Sequence, residues 1–448
     1  MRYETHTNGY SNGRRGHNNI VKLDPEDSQN FDKTLAIPQL FVHAYILAMS
    51  GVGKTEIIKN LIIRFYLEKM SNSIIIDLDG DLSRQIARVI ADKKAVVYID
   101  MMSPKKFTSI YNPFRIKHQD MVSLSIMSQE LLIAIASIIG ADFSPNMEAI
   151  LIPCIYVLLI KGDSGIDELM LFMDDKNNKY LIELGLKSPI PTHRKFFEQQ
   201  FSKSKFKITK DAIATKLQIL LNNPLFANFI IGKSTLNLEK LMASKGKIII
   251  FRFPKSMISA AKLLMASIQG IALQRVKIPE LEMRPKTYLF LDEFQNFVNP
   301  TLQEMLSGTR KYNLSVICAN QKLSDIDTKT KDGLLTNAHI KIVGKCSYKD
   351  AKTMADELSL DTQQLMELQK GEFYTKVDSN MPIKVMATDR YLGDREALPD
   401  MYWKKHLKYW RKKYATKIID ATVVESIDDK VVDNSTPSLP IPKFDMEG

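Results

Sequence analysis

An apolar run, His43-Ala44-Tyr45-Ile46-Leu47, passes straight into Ala48-Met49-Ser50-Gly51-Val52-Gly53-Lys54-Thr55, and a helical pattern follows over 56–69. Strand, glycine-bearing loop, Gly-Lys-Thr and helix is the order that a phosphate-binding loop requires. The backbone N–H groups of residues 51–55 are expected to curl round a β-phosphate. The positive end of the helix dipole points at the same anion. In such a loop Lys54 reaches the β- and γ-oxygens, and the Thr55 hydroxyl holds Mg²⁺. The candidate nucleotide cradle is therefore Ser50, Gly51, Val52, Gly53, Lys54, Thr55 and Glu56. Ala48 stands where the usual pattern begins with Gly; as the smallest residue with a Cβ, it strains the turn least.

The rest of the chain is organised round this unit. Continuously apolar, β-branched runs at 73–77 and 95–100 read as buried parallel strands. From 118 to 244 helical spacing takes over, almost without strand-like runs, which predicts an all-helical insertion. Alternation resumes with a strand at 247–251 and a helix over 257–276. Strands at 288–292, 314–319 and 339–343 follow, and pieces at 372–377 and 383–387 finish the sheet. The expected fold class is thus α/β, with a discontinuous core over 35–117 and 245–400 and a mostly parallel sheet. Residues 1–34 read as a mobile arm. Residues 421–448, acidic and carrying Pro437, Pro440 and Pro442, read as a disordered tail.

A helix is expected over 401–420, where Trp403, Leu407, Trp410 and Tyr414 recur at helical spacing among Lys404, Lys405, Lys408, Arg411, Lys412 and Lys413. Such a stripe reads first as a packing surface and second as a platform for DNA bases; a docked stripe still leaves the lysines free for phosphates. The net charge of +11 and the pI near 9.2 favour an anionic partner, nucleic acid or an acidic membrane surface. Cys154, Cys318 and Cys346 lie in apolar stretches without metal-site spacing and read as reduced, buried thiols. No signal peptide is apparent. The longest uninterrupted apolar runs, 131–140 and 149–160, fall short of a membrane span, so a soluble, cytoplasmic protein is expected.

The strand at 288–292 ends in Asp292-Glu293. Paired with Lys54 and Thr55 upstream, the first acid is placed to bind Mg²⁺ through water and the second to act as general base on the attacking water. No Asn-Lys-x-Asp motif for reading guanine follows a strand. The Asp-Glu pair therefore points to an ATPase that turns over repeatedly. Asn320-Gln321 ends the strand at 314–319, where an amide can sense a γ-phosphate. Arg310 precedes that strand and reads equally as a surface charge and as a group that reaches a neighbouring subunit's nucleotide.

These stretches together resemble the HerA–FtsK superfamily of ring-forming DNA motors, and within it the conjugative coupling proteins of the TraG/TraD/TrwB type. The His-containing strand 43–47, the acid motif 291–297, the run Thr309-Arg310-Lys311-Tyr312-Asn313-Leu314 through Asn320-Gln321, Ser347-Tyr348-Lys349-Asp350-Ala351 and Gly371-Glu372-Phe373-Tyr374 carry the likeness, which spans about residues 36–390. It implies a RecA-like P-loop NTPase core with an inserted helical domain, ATP and Mg²⁺ as cofactors, and a homohexamer round DNA gripped without regard to sequence. A relaxase or secretion-channel partner is implied too, with attachment to the inner membrane through partners. By position it makes Asp292 the Mg²⁺ support, Glu293 the base, Gln321 the sensor and Arg310 a finger acting in trans. Family coupling proteins begin with membrane helices, and no such helices are apparent here.

The expected function is ATP-driven DNA translocation, as a coupling-type protein in conjugative transfer. A helicase partner in DNA repair and a viral genome-packaging motor are the rivals within the motor class. An adaptor that recruits substrates, with ATP only setting its conformation, is the rival from another class.

Overall fold

The computed structural model describes residues 41–418 apart from 70, 79, 91, 103–105 and 388–396. The arm expected over 1–34 and the tail expected over 421–448 lie outside the described residues. From the amino end come β1 (Ala44–Leu47), α1 (Lys54–Glu68), β2 (Ser71–Asp77), α2 (Asp81–Val89), β3 (Val96–Asp100) and β4 (Phe107–Thr108). Eight helices follow: α3 (Met121–Ile139), α4 (Pro145–Lys161), α5 (Ile166–Phe172), α6 (Lys179–Leu186), α7 (Pro191–Gln199), α8 (Lys207–Leu221), α9 (Pro224–Ile230) and α10 (Leu238–Ala243). The chain then returns to the sheet through β5 (Ile248–Arg252), α11 (Ile258–Leu273), β6 (Lys286–Asp292), α12 (Pro300–Gly308), β7 (Leu314–Asn320), α13 (Thr328–Asn337) and β8 (Ile340–Gly344). It closes with α14 (Tyr348–Leu358), α15 (Thr362–Met366), β9 (Glu372–Val377), β10 (Ile383–Met386), α16 (Asp400–Tyr414) and β11 (Thr416–Lys417).

The nine-stranded sheet has the order β10-β9-β8-β1-β7-β6-β2-β5-β3. Strands β3 to β8 in that order pair in parallel, and β9 and β10 are antiparallel. The parallel strands are buried along almost their whole length, with apolar centres, because helices cover both faces. Ile74, Ile75 and Ile76 of β2 and Ile248, Ile249 and Ile250 of β5 are all fully buried. Strand β1 sits between β7 and β8, with Ala44 opposite Ile317 and Ile340 and Leu47 opposite Asn320 and Val343. The carboxyl ends of β1, β7 and β6 therefore lie side by side, where a doubly wound sheet binds its ligand.

The sheet meets the helical segment through α3, which packs along α11 and touches α12. Here one expectation is corrected. The stretches Met121–Asp142 and Lys255–Lys277 are each long and apolar enough to cross a membrane by length and composition alone, with 56% and 67% of their most apolar windows buried inside the fold. Counting uninterrupted apolar runs missed them because Glu130 and Gln269 break the runs. Those two polar residues are themselves buried and bonded to each other in the core. Gln269 Nε2 donates to Glu130 Oε1 at 3.2 Å and to Glu304 Oε2 at 3.1 Å, joining α3, α11 and α12.

Burial, with the charge of Glu304 beside it, pushes the Glu130 carboxyl up to about 8. Between the ordinary carboxylate range and pH 8 the folded chain thus holds a proton that the unfolded chain has lost. Stability falls as pH rises through that window. Glu130→Gln is expected to unfold at a higher temperature than wild type at pH 8 and to flatten the dependence below it. Thermal unfolding at pH 5.5 and pH 8 checks this; parallel curves for both proteins would count against it.

Candidate nucleotide site

The loop after β1 takes the shape its glycines allow. Gly51 has φ +79° and Gly53 φ +117°, and Gly53 precedes α1 without any side-chain cap. Among the described residues, no protein acceptor answers the N–H groups of Gly51, Gly53, Lys54 or Thr55. Four donors converging at a helix start form an anion cradle. A Cβ built on Gly51 meets nothing within 4 Å, so the cradle is open. The Thr55 hydroxyl likewise has no hydrogen-bond partner among the described residues. Glu56 turns away: its N–H donates to the Gly53 carbonyl, and its carboxylate pairs with Lys59 at 2.6 Å. It braces the helix start and does not face the cradle.

Three contacts fix the loop from outside. Ala48 N–H donates to Asn320 O, Met49 N–H to Lys345 O at 2.9 Å, and Gly371 N–H to Val52 O at 2.7 Å. Gly371, at φ +87°, lies so close to the loop that a Cβ on Gly53 would stand 3.6 Å from its Cα. In the sequence Gly371 shows only as a glycine opening a late strand, which gives it no role by itself. Tyr45 was also missed: its hydroxyl donates to Asn320 Oδ1 at 2.7 Å and holds the tip of β7.

Lys54 Nζ lies 2.6 Å from Asp292 Oδ1 and 2.6 Å from Glu293 Oε1. Residues 238 and 239 positions apart in sequence thus meet at one ammonium. Glu293 is left-handed at φ +50°, and its own N–H donates to Asp292 Oδ1 at 2.9 Å. Gln321 Nε2 donates to Glu293 Oε1 at 2.7 Å, and Gln295 Nε2 donates to Oε2 at 2.8 Å. The two acids part in character. Burial raises Asp292 against the pull of Lys54. Burial also acts upward on Glu293, but the hydrogen bonds from Lys54, Gln295 and Gln321 outweigh it and hold this carboxyl below its usual value. Gln295, two residues beyond the base candidate, completes the set.

The structure brings Lys54, Thr55, Asp292, Glu293 and Gln321 to one place. Arg310 is not there. It precedes β7, at the amino end of the strand whose carboxyl end carries Gln321, so seven strand residues put it roughly 20 Å away. Its guanidinium lies 3.2 Å from His339 Nε2, and His339 Nδ1 bonds to Asp378. The stripe on α16 is a packing surface: the Trp403 and Trp410 rings lie 5.7 and 5.5 Å from Tyr98, and Trp410 Nε1 donates to Lys93 O. Lys404, Lys405, Lys408, Arg411, Lys412 and Lys413 are all exposed.

Residues 286–371, from β6 to the glycine on the loop, match the family model described as the TraM recognition site of TraD and TraG. The chain superposes on the unbound bacterial conjugative coupling protein TrwBΔN70 with a TM-score of 0.53 at 16% identity, covering 80% of this chain and 88% of that one. The fold is the coupling-protein fold. TrwB in complex with a non-hydrolysable ATP analogue gives a TM-score of 0.53 at 16% identity, over 81% of this chain and 89% of that one. TrwB with ADP and Mg²⁺ gives 0.52 at 16% identity, over 80% and 88%. No curated protein matches the sequence. The shared architecture is the RecA-like P-loop core, with TrwB as its conjugative example.

Proposed function

We propose that this chain is an ATP-driven DNA translocase of the coupling type, working in conjugative DNA transfer as a homohexamer. The observation that carries the reading is the meeting of Lys54 with Asp292 and Glu293 beside a cradle of unanswered N–H groups. That donor set fits a nucleoside triphosphate with its cation, and similarity to a protein that holds an ATP analogue or ADP and Mg²⁺ supports the choice. When bound, ATP with Mg²⁺ supplies the phosphoryl group that passes to water. The backbone N–H groups of Gly51, Gly53, Lys54 and Thr55 would grip phosphate oxygens, and Thr55 and Asp292 would hold the metal. Lys54 exchanges its two carboxylate partners for phosphate oxygens. Glu293, freed of the ammonium but still held by Gln295 and Gln321, takes the proton from water at a carboxylate oxygen. Arg310 completes the site of a neighbouring subunit. DNA is held without regard to sequence, a relaxase or secretion channel is the partner, and the chain works in the cytoplasm, joined to the inner membrane through partners.

ATP turnover measured with and without single- and double-stranded DNA tests the reading. Stimulation by DNA is expected. Brisk turnover indifferent to DNA would favour the adaptor reading, in which ATP only sets conformation. The exposed cations of α16 give a second test. Replacing Lys404, Lys405, Lys412 and Lys413 by Ala is expected to lower the slope of log affinity for DNA against log salt by up to about 0.9 for each lysine that touches phosphate. An unchanged slope would leave α16 with packing alone.

A further inference from the structure

Helix α16 turns one side to the fold and the other to solvent. Trp403, His406, Trp410 and Tyr414 are buried, whereas Lys404, Lys405, Lys408, Arg411, Lys412 and Lys413 are exposed. The helix's one acid, Asp400, is already paired with Arg88 at 2.9 Å, and among the described residues none of the six cations has an ion pair. Lys405, Arg411 and Lys413 lie 5.3, 5.5 and 5.6 Å from the ring centroids of Tyr402, Phe107 and Tyr409, contacts that cancel no charge. Lys404, Lys408 and Lys412 follow one another at four-residue spacing, where like charges repel and weaken a helix. The face is thus left to an anion from outside the described residues.

The chain itself supplies one close by. After α16, β11 pairs with β4, and Ile418 N–H donates to Lys106 O at 3.0 Å, so the backbone is held as far as Ile418. An acidic stretch begins just beyond. Over 420–433, Asp420, Glu425, Asp428, Asp429 and Asp433 stand against one cation, Lys430. Extended, the chain from Ile418 to Asp433 reaches up to roughly 50 Å. The helix from Lys404 to Lys413 is only roughly 14 Å long. Every one of these acids can therefore lie beside the cations. A segment tethered this closely acts at an effective concentration of about millimolar. Exposed cations elsewhere, such as Lys203 and Lys207, have no acidic stretch following them so directly.

We propose that residues 420–433 of this chain lie along the cationic face of α16 and cover it with their carboxylates. The contact stands without the translocase reading. Where DNA binds this helix, its phosphates take the place of the carboxylates, so the segment sets how readily α16 accepts a nucleic acid.

The test places Glu425→Gln, Asp428→Asn, Asp429→Asn and Asp433→Asn together in the full chain. Acetylation of each lysine is timed by mass spectrometry at 50 mM salt. Lys404, Lys405, Lys408 and Lys412 are expected to react at least about threefold faster in the variant than in wild type, and 500 mM salt is expected to remove the difference as the Debye length shrinks to roughly 4 Å. Lys203 and Lys207 are expected to react equally in both. In the unaltered protein a carbodiimide is expected to join lysines of 404–413 to acids of 420–433, which keeps the proposal testable should the variant fail to fold. Mixing chains of ordinary and ¹⁵N composition is expected to show those links within one chain. The variant is also expected to bind a labelled 20-mer at least about threefold more tightly than wild type at 100 mM salt. Equal acetylation rates and no such links would overturn the contact, and equal DNA affinity would overturn its competition with DNA. Links found only between copies would overturn it too, by giving the face to a neighbour's segment. So would lysines shielded by acidic-lipid vesicles alone. If neither protein binds DNA, the translocase reading fails, while shielding and links still decide this contact.

Discussion

Glu293→Gln is expected to bind ATP and to turn it over roughly 10²–10⁴-fold more slowly. The substitution keeps the size of the side chain and removes only the basic oxygen. Asp292 keeps its contact with Lys54 Nζ. Binding is read as an ATP-induced rise in melting temperature, which grows with the ratio of ligand to Kd. Lys54→Ala is expected to reverse the pattern and lose that rise. Hydrolysis by Glu293→Gln within a few-fold of wild type would remove Glu293 from the role.

Arg310→Ala is expected to assemble, bind ATP and lose roughly 10³ or more in rate. A planar guanidinium spreads donors over the equatorial oxygens of the transferring phosphate as charge develops. Within one chain Arg310 lies across the whole length of β7 from Gln321, so only another copy can supply it. It must also leave His339 to do so. Turnover should then rise more steeply than linearly with protein concentration until rings form. Mixing Arg310→Ala with Lys54→Ala subunits makes the sharper experiment. A junction between an intact Arg310 and an intact Lys54 exists only in mixed rings, so partial activity should return although each variant alone is dead. If co-assembled mixtures stay dead, wild-type subunits doped into Arg310→Ala rings decide between a ring that needs every site and an arginine with no catalytic part. Activity in proportion to the wild-type subunits added, with no contribution across junctions, would end the finger assignment.

Much of this site was legible because its chemistry is local. Gly51, Gly53, Lys54 and Thr55 sit within five residues and need a strand before and a helix after, and both patterns are plain. Asp292 and Glu293 end a strand whose apolar run is equally plain. That the two motifs belong to one site was legible, but the direct ion pairs of Lys54 with both acids were not, since they depend on β1 lying two places from β6, and strand order is set by packing across the whole chain. Gly371 carries no legible function for the same reason: its partner, the Val52 carbonyl, comes from elsewhere in the fold. Helices α3 and α11 escaped a count of apolar runs because Glu130 and Gln269 are buried against each other, a pairing that residue types alone do not reveal. The two-residue pairing of β4 with β11 is too short to leave any period.

The placement of β1 has a consequence for how the protein is made. Ala44 is paired by Ile317 on one side and by Ile340 on the other. A ribosome that has released the Gly-Lys-Thr turn has still to deliver about 300 residues before both neighbours exist, roughly 15–60 s at ordinary elongation rates. Throughout that time the turn has no sheet to seat it. The capacity to hold a nucleotide therefore arrives late in synthesis, after the helical segment has had time to fold, and a nascent chain halted before residue 314 carries the motif without the site.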